Sequence, residues 1–151
     1  MPISINPMMM RQIIMDHYEH PHNKRTPTND KYLKINMNSE SCIDNIDVFL
    51  LIEDGIVKDC CFDGIGCTIS TASTSIMTDL VIGKTIEEAY NIIDNYRKMI
   101  HEDEFDDELL EEAIVFINTS KQASRIKCAT IGWNGLNELL DESKGDKHEE
   151  K

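Results

Sequence analysis

Asp63-Gly64-Ile65-Gly66-Cys67-Thr68-Ile69-Ser70-Thr71-Ala72-Ser73-Thr74-Ser75-Ile76 is where the chain changes its period, and that change decides the fold class. Upstream of it three segments have strand character: Tyr32 to Met37, Ile43 to Ile52 and Ile56 to Phe62, with Asp54-Gly55 between the last two as a hairpin turn. They predict a small antiparallel meander. From Thr68 the apolar positions take helical spacing, with Ile69, Ala72, Ile76 and Leu80 on one face as far as Gly83. Thr85 and Glu88 form a capping-box pattern that opens a helix to about Met99. A further helix is expected from Asp106 to Ile117, its first turn rich in acids as the macrodipole favours. After Asn118 to Ser124 a last helix carries Ala129, Trp133, Leu136 and Leu140 on one face. Strands followed by helices predict an α+β domain, a three-stranded antiparallel sheet with helices packed against it.

Ahead of the strands, Asn6-Pro7 reads as an N-cap with proline at the first helical position, opening a helix that Pro21 stops after His20. There is no internal repeat and no sign of a second domain. With 151 residues the chain suits one core without disulfides. We assign residues 1–140 to that domain and expect 141–151, nearly all charged or polar, to form a flexible tail.

The net charge of −13, from 15 basic and 28 acidic residues, opposes binding to phosphate backbones, so nucleic acid is not expected as a partner. The longest apolar run, Val48 to Ile52, is far short of a membrane span, and the first residues lack a basic region followed by an apolar stretch. No membrane association and a cytoplasmic location are therefore expected. There, an odd count of five cysteines points to metal binding or catalysis rather than pairing.

Cys67 sits where strand turns into helix, so its sulfur meets the positive end of the helix dipole, which favours thiolate. Cys128, expected in the first turn of the last helix after Arg125-Ile126-Lys127, shares that bias. Cys42 and Asp44 are two residues apart at a strand entrance and project to one side. Three thiolates and one carboxylate would make a four-coordinate site with one hard, exchangeable ligand. Free cysteines are also common core residues, and separations of 25 and 61 residues match no zinc-finger template. Cys60 and Cys61 are read as core, since adjacent strand side chains face opposite ways. His17 and His20, at i and i+3, have metal-binding spacing, but carbonyl capping at the helix C-terminus is the expected role for them. The Ser and Thr residues from Thr68 to Thr78 are read as caps and small packing residues, without a partnered His/Asp pattern.

These residues together resemble the U-type iron–sulfur cluster assembly proteins, the family that includes the bacterial scaffold and its zinc-dependent sulfurtransferase relatives. The resemblance spans nearly the whole chain. It runs through Arg11-Gln12-Ile13-Ile14-Met15-Asp16-His17-Tyr18 with Pro21 and Asn23, through Cys42-Ile43-Asp44, and through the Gly-x-Gly-Cys-x-Ile-Ser-x-Ala-Ser stretch from Gly64. It continues through Gly83-Lys84-Thr85 and Arg125-Ile126-Lys127-Cys128. Scaffold members carry His directly before the third cysteine and a shorter segment ahead of it. Lys127 and the longer helical segment here place the chain nearer the sulfurtransferase branch. One departure is Ile43, where the family usually has Gly; a β-branched residue does not readily take a positive φ.

The resemblance implies zinc bound by Cys42, Asp44, Cys67 and Cys128, with Cys42 accepting sulfur from the persulfide of a PLP-dependent cysteine desulfurase of the SufS type. In the family a partner histidine replaces this cysteine on the zinc and frees the thiolate to attack. Downstream, a sulfur or cluster acceptor protein is implied. Three thiolates and a carboxylate leave a formal −2 on the zinc site, which Arg125 and Lys127 are placed to offset. The planar fork of Arg125 suits a bidentate hold on Asp44. Two other readings stand beside this one: a scaffold assembling a transient [2Fe–2S] cluster, or iron, on the same ligands, and an interaction module braced by zinc.

Overall fold

The computed structural model describes residues 6–38 and 43–149. Asn6 caps the first helix, α1 (Pro7–Glu19), its side-chain oxygen accepting the Met9 N–H at 2.8 Å, and Pro7 takes the position where no N–H is needed. Three strands follow, β1 (Leu33–Asn38), β2 (Asn45–Glu53) and β3 (Ile56–Ile65), in an antiparallel sheet of order β1-β2-β3. The β2–β3 turn is made by Asp54 and Gly55 with φ of 56° and 75°. Positive φ at both central residues is what a type I′ hairpin requires.

β3 runs beyond the expected Phe62, because Asp63, Gly64 and Ile65 stay paired with Asp47, Ile46 and Asn45. Gly64 makes this possible: its φ is +122°, and a Cβ there would lie 2.3 Å from the Asn45 carbonyl oxygen. Alternation along β3 then sorts its side chains. Cys60 and Phe62 join Ile46, Val48 and Leu50 in the main core, while Asp59 and Cys61 face the other way. The loop after α1 closes along the free edge of β3. There the Arg25 N–H donates to the Phe62 carbonyl at 2.8 Å, and the Arg25 guanidinium reaches both oxygens of Asp59 at 2.9 Å.

The helical half begins with α2 (Thr68–Val81) and α3 (Ile86–Ile100), the latter opened by the expected capping box of Thr85 and Glu88. The expected helix from Asp106 to Ile117 is a single α turn, α4 (Asp107–Leu110), followed by a 3₁₀ segment, Glu111–Phe116. Glu111 breaks the helix with a φ of 45°. Four consecutive residues, Ala113 to Phe116, are buried beyond it, and an α-helix lying on a core buries only one stripe. A second 3₁₀ segment, Thr119–Lys121, leads to α5 (Ala123–Glu149), which carries the charged stretch beyond Leu140 as helix.

α5 packs on α2, β1 and β2, placing the helices over one face of the sheet in a single α+β domain. The α2–α5 crossing is close: a Cβ on Gly132 would lie 2.3 Å from Thr74 Oγ1. Beside it Trp133 stacks on Tyr96 with centroids 3.8 Å apart, and its Nε1–H donates to Ser73 Oγ at 2.9 Å. The Ser73 and Tyr96 hydroxyls both donate to the Ala129 carbonyl, at 2.6 and 2.7 Å. These bonds fix the turn of α5 next to Cys128 against α2. Among the described residues no helix is long and apolar enough to cross a membrane.

Candidate metal centre

Where the start of the central strand β2 meets the start of α2 and the second turn of α5, Asp44, Cys67 and Cys128 converge. One ligand atom from each lies within 4.8 Å of the other two. Asp44 comes from the residue before β2, Cys67 from the N-cap of α2 and Cys128 from α5. Asp44 and Cys128 are buried, and Cys67 is partly open. The three residues are separated widely in sequence and are brought together by the hairpin and by the helix crossing.

The Asp44 carboxylate is held by the first turn of α2. Its Oδ1 accepts the Cys67 N–H at 2.9 Å and the Ser70 hydroxyl at 2.8 Å. Both donors come from a helix N-terminus, where backbone N–H groups lack intrahelical partners and negative charge is favoured. Cys67 Sγ accepts the Ser70 N–H at 3.4 Å, so one residue anchors two of the three ligand side chains. Ser70 was not singled out as a site residue from the sequence. Its place three residues into the helix that Cys67 opens is the one sequence signal for this role.

The donor set is two sulfurs and a carboxylate oxygen. Metal–ligand lengths for zinc put tetrahedral neighbours about 3.3–3.8 Å apart, so small side-chain rotations suffice to close the group on an ion. Thiolate with carboxylate fits zinc, and thiolates equally fit iron–sulfur chemistry. Cys42 lies outside the described residues. Ile43 is 67% exposed, while Asp44 beside it is 2% exposed. The isoleucine side chain is thus turned to solvent and the carboxylate turned in.

The helix containing Cys128 starts at Ala123, so Cys128 sits in its second turn and not in its first. It gains less from the helix dipole than expected, because that effect fades beyond the first turn. Arg125 and Lys127 are exposed. Arg125 lines an open groove of about 460 Å³ together with Arg11, Met10, Ile14 and Thr68. Cys60 and Cys61 are buried on opposite faces of β3. Burial pushes the Cys61 thiol up to about 11 and the Cys60 thiol higher still, so both stay protonated at neutral pH.

His17 corrects the expectation of a C-terminal cap. It is buried at 4% exposure, with Nδ1 2.7 Å from Ser75 Oγ and Nε2 2.8 Å from Glu112 Oε1. Ser75 therefore does have a partnered His and carboxylate, contrary to the sequence reading. It is 0% exposed and also accepts the His22 N–H at 2.8 Å, so this trio braces the core and does not present a nucleophile. The helical pattern of α1 turns His17 inward, and the pairing could not be read without knowing that α1 packs on α2.

The fold and the carboxylate–sulfur group at a strand-to-helix turn define the class, an α+β domain with a candidate metal centre. The NifU-like N-terminal domain model matches residues 9–129, and the chain belongs to that family. It is 38% identical over 138 residues to the zinc-dependent sulfurtransferase SufU of Bacillus subtilis strain 168, covering 91% of this chain and 92% of that one. It is 36% identical over 137 residues to the iron–sulfur cluster assembly scaffold protein IscU of Streptococcus pyogenes serotype M1, covering 90% and 85%. Among solved structures, a putative SUF-system scaffold protein from Fervidobacterium islandicum AW-1 superposes with a TM-score of 0.75 at 32% identity, covering 85% of this chain and 94% of that one.

Proposed function

We propose that this chain is a zinc-dependent sulfurtransferase of iron–sulfur cluster assembly, in which Cys42, Asp44, Cys67 and Cys128 hold the zinc and Cys42 accepts the sulfur. The observation that carries the reading is the convergence of Asp44, Cys67 and Cys128, with the carboxylate anchored by Cys67 N–H and Ser70. The likeness to the Bacillus protein over nearly both whole chains supports zinc and sulfur transfer.

Bound zinc would keep the cysteine sulfurs deprotonated and close to the approaching partner. The transfer itself belongs to the chain's thiolate. Cys42 attacks the terminal sulfur of a persulfide on a PLP-dependent cysteine desulfurase, of the SufS type. A new S–S bond forms to Cys42 Sγ, the S–S bond of the desulfurase persulfide breaks, and its cysteine leaves as thiolate. Asp44 stays, because the first turn of α2 holds it. Arg125 and Lys127, exposed near this edge, supply positive charge in a chain of net charge −13. A downstream acceptor then takes the sulfur. Residues 1–140 form the working unit and 141–151 are dispensable for it.

A scaffold role, with a transient [2Fe–2S] cluster on the same ligands, is the second reading, favoured by the likeness to the Streptococcus scaffold protein. Desulfurase turnover with the wild type and Cys42→Ala, after anaerobic purification and metal analysis, separates them. Sulfur transfer predicts one tight zinc and a stimulation abolished in the variant. Stimulation that persists in Cys42→Ala refutes Cys42 as acceptor, and a cluster delivered to an apo-protein supports the scaffold.

A further inference from the structure

A second group of metal-ligating side chains lies between α1, the loop after it and the later turns of α2. His17, His22 and Asp79 each offer a ligand atom within 4.8 Å of the others. The two imidazoles lie side by side with centroids 4.5 Å apart, and His22 Nδ1 is hydrogen-bonded to Asp79 Oδ2. His22 and Asp79 are about half exposed, with side-chain exposures of 54% and 42%, whereas His17 is buried. None of these residues is used by the sulfur chemistry above.

Hydrogen bonding around His17 gives the group its character. A carboxylate only accepts, so the contact of Nε2 with Glu112 Oε1 at 2.8 Å puts the proton on Nε2. Nδ1 then presents a lone pair, which the Ser75 hydroxyl fills at 2.7 Å. An imidazole that donates one N–H to a carboxylate and turns its other nitrogen to neighbouring ligands is how metal-bound histidines are normally oriented. The carboxylate here comes from the 3₁₀ segment, far from His17 in sequence, and holds the ring at a fixed angle.

We propose that His17, His22 and Asp79 form a second metal site, taking a first-row divalent ion through two imidazole nitrogens and one carboxylate oxygen and leaving its remaining positions to water. Two histidines and one carboxylate with open positions suit iron(II), cobalt(II), nickel(II) or zinc, without the thiolates of the first centre. Ser75, released from Nδ1, turns its hydroxyl to the carbonyl one turn earlier in α2. Bond lengths near 2 Å require the ligand atoms to close to about 3 Å apart, with the half-exposed His22 and Asp79 making the movement.

The test uses the full chain, stripped of metal, loaded with one equivalent of zinc and dialysed against micromolar cobalt(II), with both metals counted by mass spectrometry. The wild type should hold one zinc and one cobalt. His22→Ala and Asp79→Asn should keep the zinc while cobalt affinity falls at least about tenfold, with unchanged circular dichroism. Cys128→Ser should weaken zinc and leave the second cobalt site intact. Absence of a second ion in the wild type would reduce the cluster to a hydrogen-bond network and overturn the proposal. A second ion held equally by both variants would also overturn it, by placing that ion elsewhere on the acidic surface.

Discussion

β3 and the N-cap of α2 present the same chemical group in opposite surroundings. Cys60 and Cys61 lie buried in the middle of a strand, Cys60 in the apolar core and Cys61 on the opposite face with Asp59 and Arg25. Burial there raises both thiols and leaves them inert. Six residues after Cys61, Cys67 occupies an N-cap, where the Ser70 N–H points at its sulfur and the carboxylate of Asp44 lies against its own N–H. The difference comes from unsatisfied backbone donors and not from the thiol. Two of the three converging residues, Asp44 and Cys67, lie where an element of secondary structure begins.

Substitutions on either side of that contrast have unequal consequences. The largest effect belongs to Cys67→Ser and Cys128→Ser, each removing a sulfur donor. Zinc affinity by chelator competition should fall by about a hundredfold or more, against the usual cost of about 10–100-fold for a supporting partner alone. Cys60→Ala, by contrast, should leave zinc content intact and lower unfolding free energy by about 1 kcal/mol in urea titration. Zinc loss in Cys60→Ala at native stability would break the contrast. Next comes Gly132→Ala, whose Cβ would meet Thr74 Oγ1 at 2.3 Å. We expect about 1–3 kcal/mol of destabilisation with a measurable loss of zinc affinity, because α5 carries Cys128.

Ser70→Ala removes the hydroxyl that holds Asp44. A loss of about 10-fold in zinc affinity with near-native melting is expected, and unchanged affinity would mean that the Cys67 N–H anchors the carboxylate by itself. The smallest effect is on alkaline stability. The Cys61 thiol is raised by burial from its ordinary 9.0 to about 11 in the folded chain. Below pH 9 it is protonated whether folded or not, and above that the unfolded chain loses the proton first. Stability should therefore decline as pH rises from 9 through 11, and Cys61→Ala should lessen that decline in a series of urea titrations, the rest coming from the still higher Cys60 thiol.

Much of the fold was legible because its signals are local. Asn6-Pro7, Asp54-Gly55 and the Thr85–Glu88 capping box each act through neighbouring backbone groups, and the structure places an element boundary at each. The segment from Asp106 to Ile117 was misread for the opposite reason. Its acidic start is a helix signal, but the buried run Ala113–Phe116 is shaped by the core it must fill. At the site, Cys67 and Asp44 were readable from position and donor type, and Cys128 was placed a turn too early. Ser70 and the inward turn of His17 depend on contacts between distant elements, which spacing along one chain does not reveal.

Zinc K-edge X-ray absorption on the full chain loaded with a single equivalent of zinc reads out the ligands of the proposed centre. The account predicts a shell of three sulfurs and one light atom, supplied by Cys42, Cys67, Cys128 and Asp44, and the loss of one sulfur in Cys128→Ser. A shell of nitrogen and oxygen alone, or a sulfur count untouched by Cys128→Ser, would contradict it.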